Sequence, residues 1–317
     1  MQNDHVIKAT HLVRESIANW AMGIVFIRNW RVNRGRTMSR CAQSDQVHLV
    51  LDQFDFFIEA IGWNSVRDKT VIEIGPGDAI PHGLLFLGAG AKRYIAIDRF
   101  LGSVSSTSGQ ELYRALIESA PERIKRGWTE SGLNPYQYPW LESNQNASRV
   151  ELVAQSIERA DFKEIGPGDI IFSFNVIEHL SNLSQSFENM ARMLNVRGLM
   201  IHRVDYGPHS LWRTYKNPLA FLTASNAAWS LMGSNRGYPN RKRHPQILSA
   251  LYRCGFQNAD RITGRFAMED IRAIRPFLAD DFRELRDEDL QVADAEIYSA
   301  FALPVLGGHG FRQISDR

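Results

Sequence analysis

The chain has 317 residues, of which 44% are hydrophobic and 23% charged, with a formal charge of +2 and two cysteines. That composition excludes a disordered or low-complexity chain and is long enough to bury a sizeable core, while Cys41 and Cys254 offer neither a disulfide framework nor metal-ligand spacing and read as buried thiols of a reducing compartment. The charge balance argues against nucleic acid as the main partner, although RNWRVNRGRTMSR and NRGYPNRKRH are locally basic; MQNDHVIKAT lacks a secretory pattern and WAMGIVFI is too short to span a bilayer, so a cytoplasmic location is expected.

Residues 1–66 read as helices, including the apolar-rich VHLVLDQFDFFIEAIGW, and are expected to cap the open edge of a pocket. From Thr70 the runs TVIEIG, RYIAID, VELVAQ, DIIFSFN and RGLMIHRVD are short, apolar or β-branched, and bounded by turn residues, which predicts buried strands. PHGLLFLGAGA reads as the helix between the first two, and LSQSFENMARMLNVRG as the helix between the fourth and fifth, closed by Gly198. PQILSALYRCGF predicts a further helix, with strands in FQNADRIT and AEIYSAFALPV. Alternation of this kind predicts an α/β fold: a doubly wound, mostly parallel seven-stranded Rossmann-like sheet. Its expected parts are a helical cap at 1–66, the core at 67–206, an aromatic and basic lid insertion at 207–243 and the rest of the core at 244–317. The link at about 99–149, containing NPYQYPWLESNQN, is long and is expected to be a lid or mobile segment.

VIEIGPGDAI, residues 71–80, carries the chemistry. Gly75 and Gly77 follow a buried strand, where a parallel sheet opens its crevice and a Cβ would keep a ligand off the backbone. Asp98 ends the second strand about 20 residues on, the place where a carboxylate holds ribose hydroxyls. Both dinucleotides and S-adenosylmethionine are bound this way. A dinucleotide fingerprint needs a third glycine where Ile80 stands, and Glu73 and Asp78 would repel pyrophosphate, so a cationic cofactor is expected.

In their order and spacing VIEIGPGDA, YIAID, DIIFSFNVIEHL and MLNVRGLMIHRVD resemble the successive motifs of the class I S-adenosylmethionine-dependent methyltransferases, over about residues 66–206. The resemblance implies that Glu73, Gly75 and Gly77, with Pro76 and Asp78 in the same turn, meet the methionine part of S-adenosylmethionine. It implies that Asp98 serves the ribose, Ser156, Ile157 and Glu158 the adenine edge, and that Asn175 and Val176 lie under the cofactor; Arg99, next to Asp98, is a further candidate for cofactor binding. Two departures stand out: Ala79 replaces a frequent third glycine, and Ser156 a frequent acid.

If the acceptor is a hydroxyl, a base must take its proton, and histidine is matched to neutral pH. His179 in VIEHL and His209 in DYGPHS are the candidates; His179 could equally be bonded to backbone, His202 reads as a packed strand residue, His82 as a local structural group, and His244 flanks the insertion. Asp205 could orient a histidine or bind an acceptor hydroxyl, or simply cap a turn. Trp212, Tyr215, Trp229 and Tyr238 could stack on a sugar or flat ring while Arg236, Arg241 and Arg243 clamp an anion; equally, Phe221, Leu222, Trp229 and Leu231 could form the core of a helical lid. The expected activity is methylation of a small molecule, foremost a hydroxyl oxygen of a sugar, glycan precursor or secondary metabolite. The alternatives are an N-methyltransferase, a nucleic-acid methyltransferase, a nicotinamide-dependent oxidoreductase and a cofactor binder without turnover. The sequence carries no signal of oligomeric state, a homodimer included.

Overall fold

The computed structural model describes residues 6–24, 43–99, 101, 107–138, 149–208, 215–302 and 312–314. Strands β1 (Thr70–Ile74), β2 (Arg93–Ile97), β3 (Val150–Val153), β4 (Gly168–Phe174), β5 (Leu194–Asp205), β6 (Gln257–Arg265) and β7 (Val292–Ala300) form one sheet in the order β3-β2-β1-β4-β5-β7-β6. A three-residue β8 (Arg312–Ile314) adds to the edge of β6. β1 to β5 pair in parallel, and β7 runs antiparallel between β5 and β6. The order reverses at β1 and β4, so their carboxyl ends flank the crevice of the sheet.

The expected seven strands are therefore present, with an eighth at the edge. The helix α6 (Leu183–Met193) is shorter than its apolar pattern predicts and stops before Gly198. Leu194 turns extended (ψ 130°) and pairs with Gly168, so the ladder of β5 takes the backbone that the helix would have used. Asn182 caps the start of α6, its Oδ1 accepting from Gln185 N at 3.1 Å.

Each face of the sheet buries its own apolar layer. Helices α2 (Gln43–Ile61), α3 (Pro81–Gly88), α4 (Thr107–Ser119) and α5 (Glu122–Glu130) cover one face, where Phe57 meets Phe86 edge to face at 4.9 Å beside Phe172. On the other face α6 and α8 (His244–Arg253) bury Phe187, Met190, Ile247 and Leu251 against Ile72, Ile171 and Met200. The 99–149 link is thus largely structural where it is described: α4 and α5 pack on the core, and Tyr138 of the expected lid is 2% exposed. Residues 139–148 lie outside the described part.

A third core lies within the insertion. Phe221, Leu222, Trp229 and Met232, the last two on α7 (Asn226–Gly233), pack with Ile271, Ile274, Phe282 and Leu290 from the segment between β6 and β7. α1 (Ala9–Gly23) packs on this unit. Asn19 Nδ2 donates to Leu231 O at 3.0 Å, Asn235 N donates to Asn19 Oδ1 at 2.8 Å, and Leu12 packs on the apolar cluster. The cap expected over 1–66 is therefore divided between two units.

The insertion rejoins the core through Arg243, 1% exposed, whose guanidinium donates to the carbonyls of Tyr206 (2.7 Å), Leu290 (3.2 Å) and Val292 (2.6 Å). Its neighbour His244 bonds Tyr206 Oη through Nδ1 at 2.9 Å and Asp260 through Nε2 at 2.7 Å. The exit and re-entry of the insertion are stapled to each other by buried polar bonds. Burial lowers the Arg243 guanidinium to about 10, still charged at neutral pH.

Candidate active site

Gly75 and Gly77 stand at φ +72° and +80°, the left-handed backbone that glycine adopts without strain. They end β1 and turn the chain into α3, whose Pro81 is preset for a first helical turn. A Cβ on Gly75 would lie 2.6 Å from a methyl of Val176, so the bare turn is also required by the end of β4. Gly77 N donates to Asp98 Oδ2 at 2.9 Å, which brings the acid of β2 to the glycine turn. These features fit S-adenosylmethionine: a backbone cradle that a side chain would fill, and a half-buried carboxylate at the next strand end. Asp98→Ala is expected to weaken S-adenosylmethionine binding at least tenfold, about 1.4 kcal/mol, by calorimetry on the folded variant; unchanged affinity would remove Asp98 from the site.

Below the turn lies a set of polar bonds that sequence reasoning missed. Glu73 is 3% exposed and faces inward: His82 Nδ1 bonds its Oε1 at 3.0 Å, Tyr94 donates its hydroxyl to Oε2, and His82 Nε2 meets Gln53 Oε1 at 3.1 Å. Tyr113 accepts from Ile80 N at 3.0 Å, and Tyr138 donates to Ile80 O at 2.7 Å. Glu73 is thus a support for the glycine turn, its oxygens already engaged, where direct contact with the methionine part of the cofactor was expected. Pro76 and Asp78 are also buried. Tyr138 sits in a Pro- and Asn-rich run whose loop composition hid it; its only signal is an aromatic residue among turn formers.

At the end of β4, Asn175 takes φ +55°, an uncommon conformation for a residue with a side chain and one found at functional turns. Asn175 is exposed, Val176 half-buried against Gly75, and Ile177–His179 forms a 3-10 turn. The insertion straps this turn. Asn240 N donates to Glu178 O at 2.5 Å, and its Nδ2 to Ile177 O and Leu180 O at 2.8 and 3.0 Å. His179 Nδ1 lies 2.9 Å from Gly237 O. A carbonyl only accepts, so Nδ1 carries the hydrogen and Nε2 the lone pair of the neutral ring. The backbone bond foreseen as a structural role is therefore present, and it orients the nitrogen that a base would use. Arg99 is exposed, with its guanidinium 4.0 Å from the Cβ position of Gly237.

Asp205 ends β5 opposite Asp294 of β7, and its Oδ1 accepts from Gly207 N at 2.6 Å, the turn cap that was the alternative reading. Burial, with Asp205 adding to it, raises the Asp294 carboxyl. Glu178 is 2% exposed. Burial first, then the charges of Asp205 and Asp294, raise it well above the usual carboxylate range. Ser156 is half-buried, Ile157 is 3% exposed with its carbonyl taken by Asn189 Nδ2 at 2.9 Å, and Glu158 accepts from Ser181 N and Oγ.

The expected acceptor wall is corrected in most of its members. Arg236 and Tyr238 both donate to the carboxylate of Glu15 on α1, Tyr238 at 2.7 Å. Burial works against that charge, but the bonds from Tyr238, Arg236 and Arg14 outweigh it and hold Glu15 down at about 2. Arg241 is 3% exposed and donates to Phe221 O, Ala224 O and Asn226 Oδ1 at 3.2, 2.6 and 2.5 Å. Tyr215 is buried beside His11 and accepts from Lys8 N at 3.0 Å. Trp229 donates its indole N–H to Pro239 O at 2.8 Å. These aromatic and basic residues build the insertion's own core, because α1, which supplies Glu15, packs onto it. His209 and Trp212 lie outside the described residues, as does Cys41, while Cys254 is half-buried.

His202 is fully buried on β5, with Nδ1 2.8 Å from Ser173 Oγ, and burial holds its imidazole down at about 3 from the ordinary 6.5. Below pH 6.5 the unfolded chain takes up a proton that the folded chain refuses, so stability falls on acidification by about 1.4 kcal/mol per pH unit from this group. Urea unfolding of His202→Leu between pH 7 and 5 is expected to show a shallower pH dependence than the wild type; equal slopes would contradict it.

A glycine turn and an acid at successive strand ends of a doubly wound sheet define a cofactor-binding α/β domain. Residues 114–202 match the family model described as a methyltransferase domain. The match covers less than a third of the chain and, with the strand order above, marks a methyltransferase domain within it, a module whose methyl donor is S-adenosylmethionine. No curated protein matches the sequence. Similar solved structures include Haemonchus contortus phosphoethanolamine N-methyltransferase 2 in complex with S-adenosyl-L-methionine, at 13% identity over 74% of this chain and 49% of that one, with a TM-score of 0.40. N-methyltransferase NodS from Bradyrhizobium japonicum WM9 has 12% identity over 78% and 95%, with a TM-score of 0.35. An O-methyltransferase family protein from Burkholderia thailandensis has 11% identity over 81% and 57%, with a TM-score of 0.39. Among the described residues, no helix is long and apolar enough to cross a membrane.

Proposed function

We propose that this methyltransferase acts on a hydroxyl oxygen of a small molecule, a sugar, glycan precursor or secondary metabolite, with His179 as the base. The observation that carries the reading is the bond between His179 Nδ1 and Gly237 O, which fixes the ring at the end of β4 with Nε2 as its basic nitrogen. When bound, S-adenosylmethionine supplies a methyl group already activated by its sulfonium, so the protein's task is positioning and one proton. Gly75 and Gly77 provide the backbone cradle, Asp98 the ribose carboxylate, and Ser156 and Ile157 the adenine edge. Asn175 and Val176 form the floor. The bond to Gly237 O holds the His179 ring so that Nε2 is the nitrogen that takes the acceptor proton.

His179→Ala is expected to lower kcat by about 100-fold or more while leaving the Kd for S-adenosylmethionine within about threefold. Full activity of the variant would remove histidine base catalysis. A second reading, methylation of an amine nitrogen, draws on the acids Asp205 and Asp294 at the ends of β5 and β7, which suit a cationic acceptor. Transfer of labelled methyl to a panel of amines and alcohols separates the two.

A further inference from the structure

On the edge of the sheet opposite the glycine turn, where β1 and β2 begin, lies an open groove of about 830 Å³. It is bounded by the ends of α3 and α5, and its lining holds six Lys or Arg side chains, Arg67, Lys92, Arg93, Arg123, Arg126 and Arg149, against two acids, Asp68 and Glu130. The five residues of β1 separate it from the methyl-transfer crevice by about 15 Å.

Three of the cations have structural work. Arg93 pairs with Glu151, Arg149 donates to Ala91 O and Ser131 O at 3.3 and 3.4 Å, and Arg123 lies over the Trp63 ring at 4.1 Å. The carbonyl ends of helices account for Arg149 and, through Ile165 O at 3.4 Å, in part for Arg93. Arg67, Lys92 and Arg126 are exposed, and their side chains have no hydrogen bond or ion pair among the described residues. Like charges gathered in a concavity repel one another and focus a positive potential, an arrangement that an anion relieves. The rest of the molecule does not demand it, since the net charge is only +2. A groove of this size suits a small molecule, and several guanidinium groups at fixed spacing suit an anion with oxygens to share among them.

We propose that this groove is a second binding site, for a small molecule bearing two or more phosphate groups. Phosphates here would draw together Arg67, Lys92 and Arg126 while Trp63 keeps Arg123 aligned on the wall. The site is independent of the acceptor assigned above.

The test is calorimetric titration of the full chain with inorganic tripolyphosphate and, separately, with ATP, each in the presence of saturating S-adenosylhomocysteine so that the methyl-transfer crevice is filled. Saturable binding is expected in at least one arm, and it should weaken at least tenfold, about 1.4 kcal/mol, in the Arg67→Ala, Arg126→Ala double variant. Equal affinity in the two arms means that the phosphate chain is the recognised feature, and tighter ATP binding means that a nucleotide is. Both substituted side chains are exposed, and Lys92→Gln gives a second readout should the double variant lose its fold. Absence of saturable binding in both arms up to about 10 mM, or binding unaffected by the double variant and by Lys92→Gln, would overturn the proposal.

Discussion

Gly75→Val is expected to abolish most S-adenosylmethionine binding, with a loss well beyond tenfold, and to cost stability as well. Two effects act at one position. The backbone stands at φ +72°, where a β-branched residue is strained by about 1–3 kcal/mol. The added Cβ would also sit 2.6 and 2.7 Å from the two methyls of Val176, closer than carbon atoms approach. Val176 cannot retreat as the end of a long side chain would, because it is β-branched and starts the 3-10 turn that carries His179. The collision therefore reaches both the cradle and the proposed base. Calorimetry with S-adenosylhomocysteine, beside urea unfolding, separates lost binding from lost folding; affinity within about threefold of wild type in a folded variant would contradict the cradle.

The largest expected stability effect lies away from the chemistry. Arg243→Ala is expected to destabilise the chain by about 3–5 kcal/mol, because it leaves the carbonyls of Tyr206, Leu290 and Val292 without their donor in a buried place. Arg243→Lys should recover only part of this, since an ammonium on a flexible stem cannot reproduce a planar fork. Denaturant midpoints measure both, and a loss under about 1 kcal/mol for the alanine variant would show that the staple is not what joins insertion to core. The staple joins the exit and re-entry of the insertion to the core at its base.

The sheet was legible because each strand is a short apolar or β-branched run closed by a turn residue, and the crevice because glycines and acids fall at consecutive strand ends. What could not be read was which side chains pair across long separations. Arg236 and Tyr238 look like an acceptor clamp in NRGYPNRKRH, yet the partner that engages them is Glu15, more than 200 residues earlier. Glu73 presents the same difficulty in miniature: its charge beside two glycines suggested a ligand contact, but Tyr94 and His82 reach it from the next strand and helix. The end of helix α6 failed differently. Its apolar spacing continues to Leu194, and only the pairing of that residue with Gly168 stops it.

The measurement that tests the central claim most directly is equilibrium binding of S-adenosylhomocysteine and of NADH to the purified wild-type chain under the same conditions. Saturable micromolar binding of S-adenosylhomocysteine, weakened at least tenfold by Asp98→Ala and accompanied by no binding of NADH, is the predicted result. Binding of NADH with none of S-adenosylhomocysteine would contradict the account at its root, since the turn from Glu73 to Ile80 would then hold a pyrophosphate.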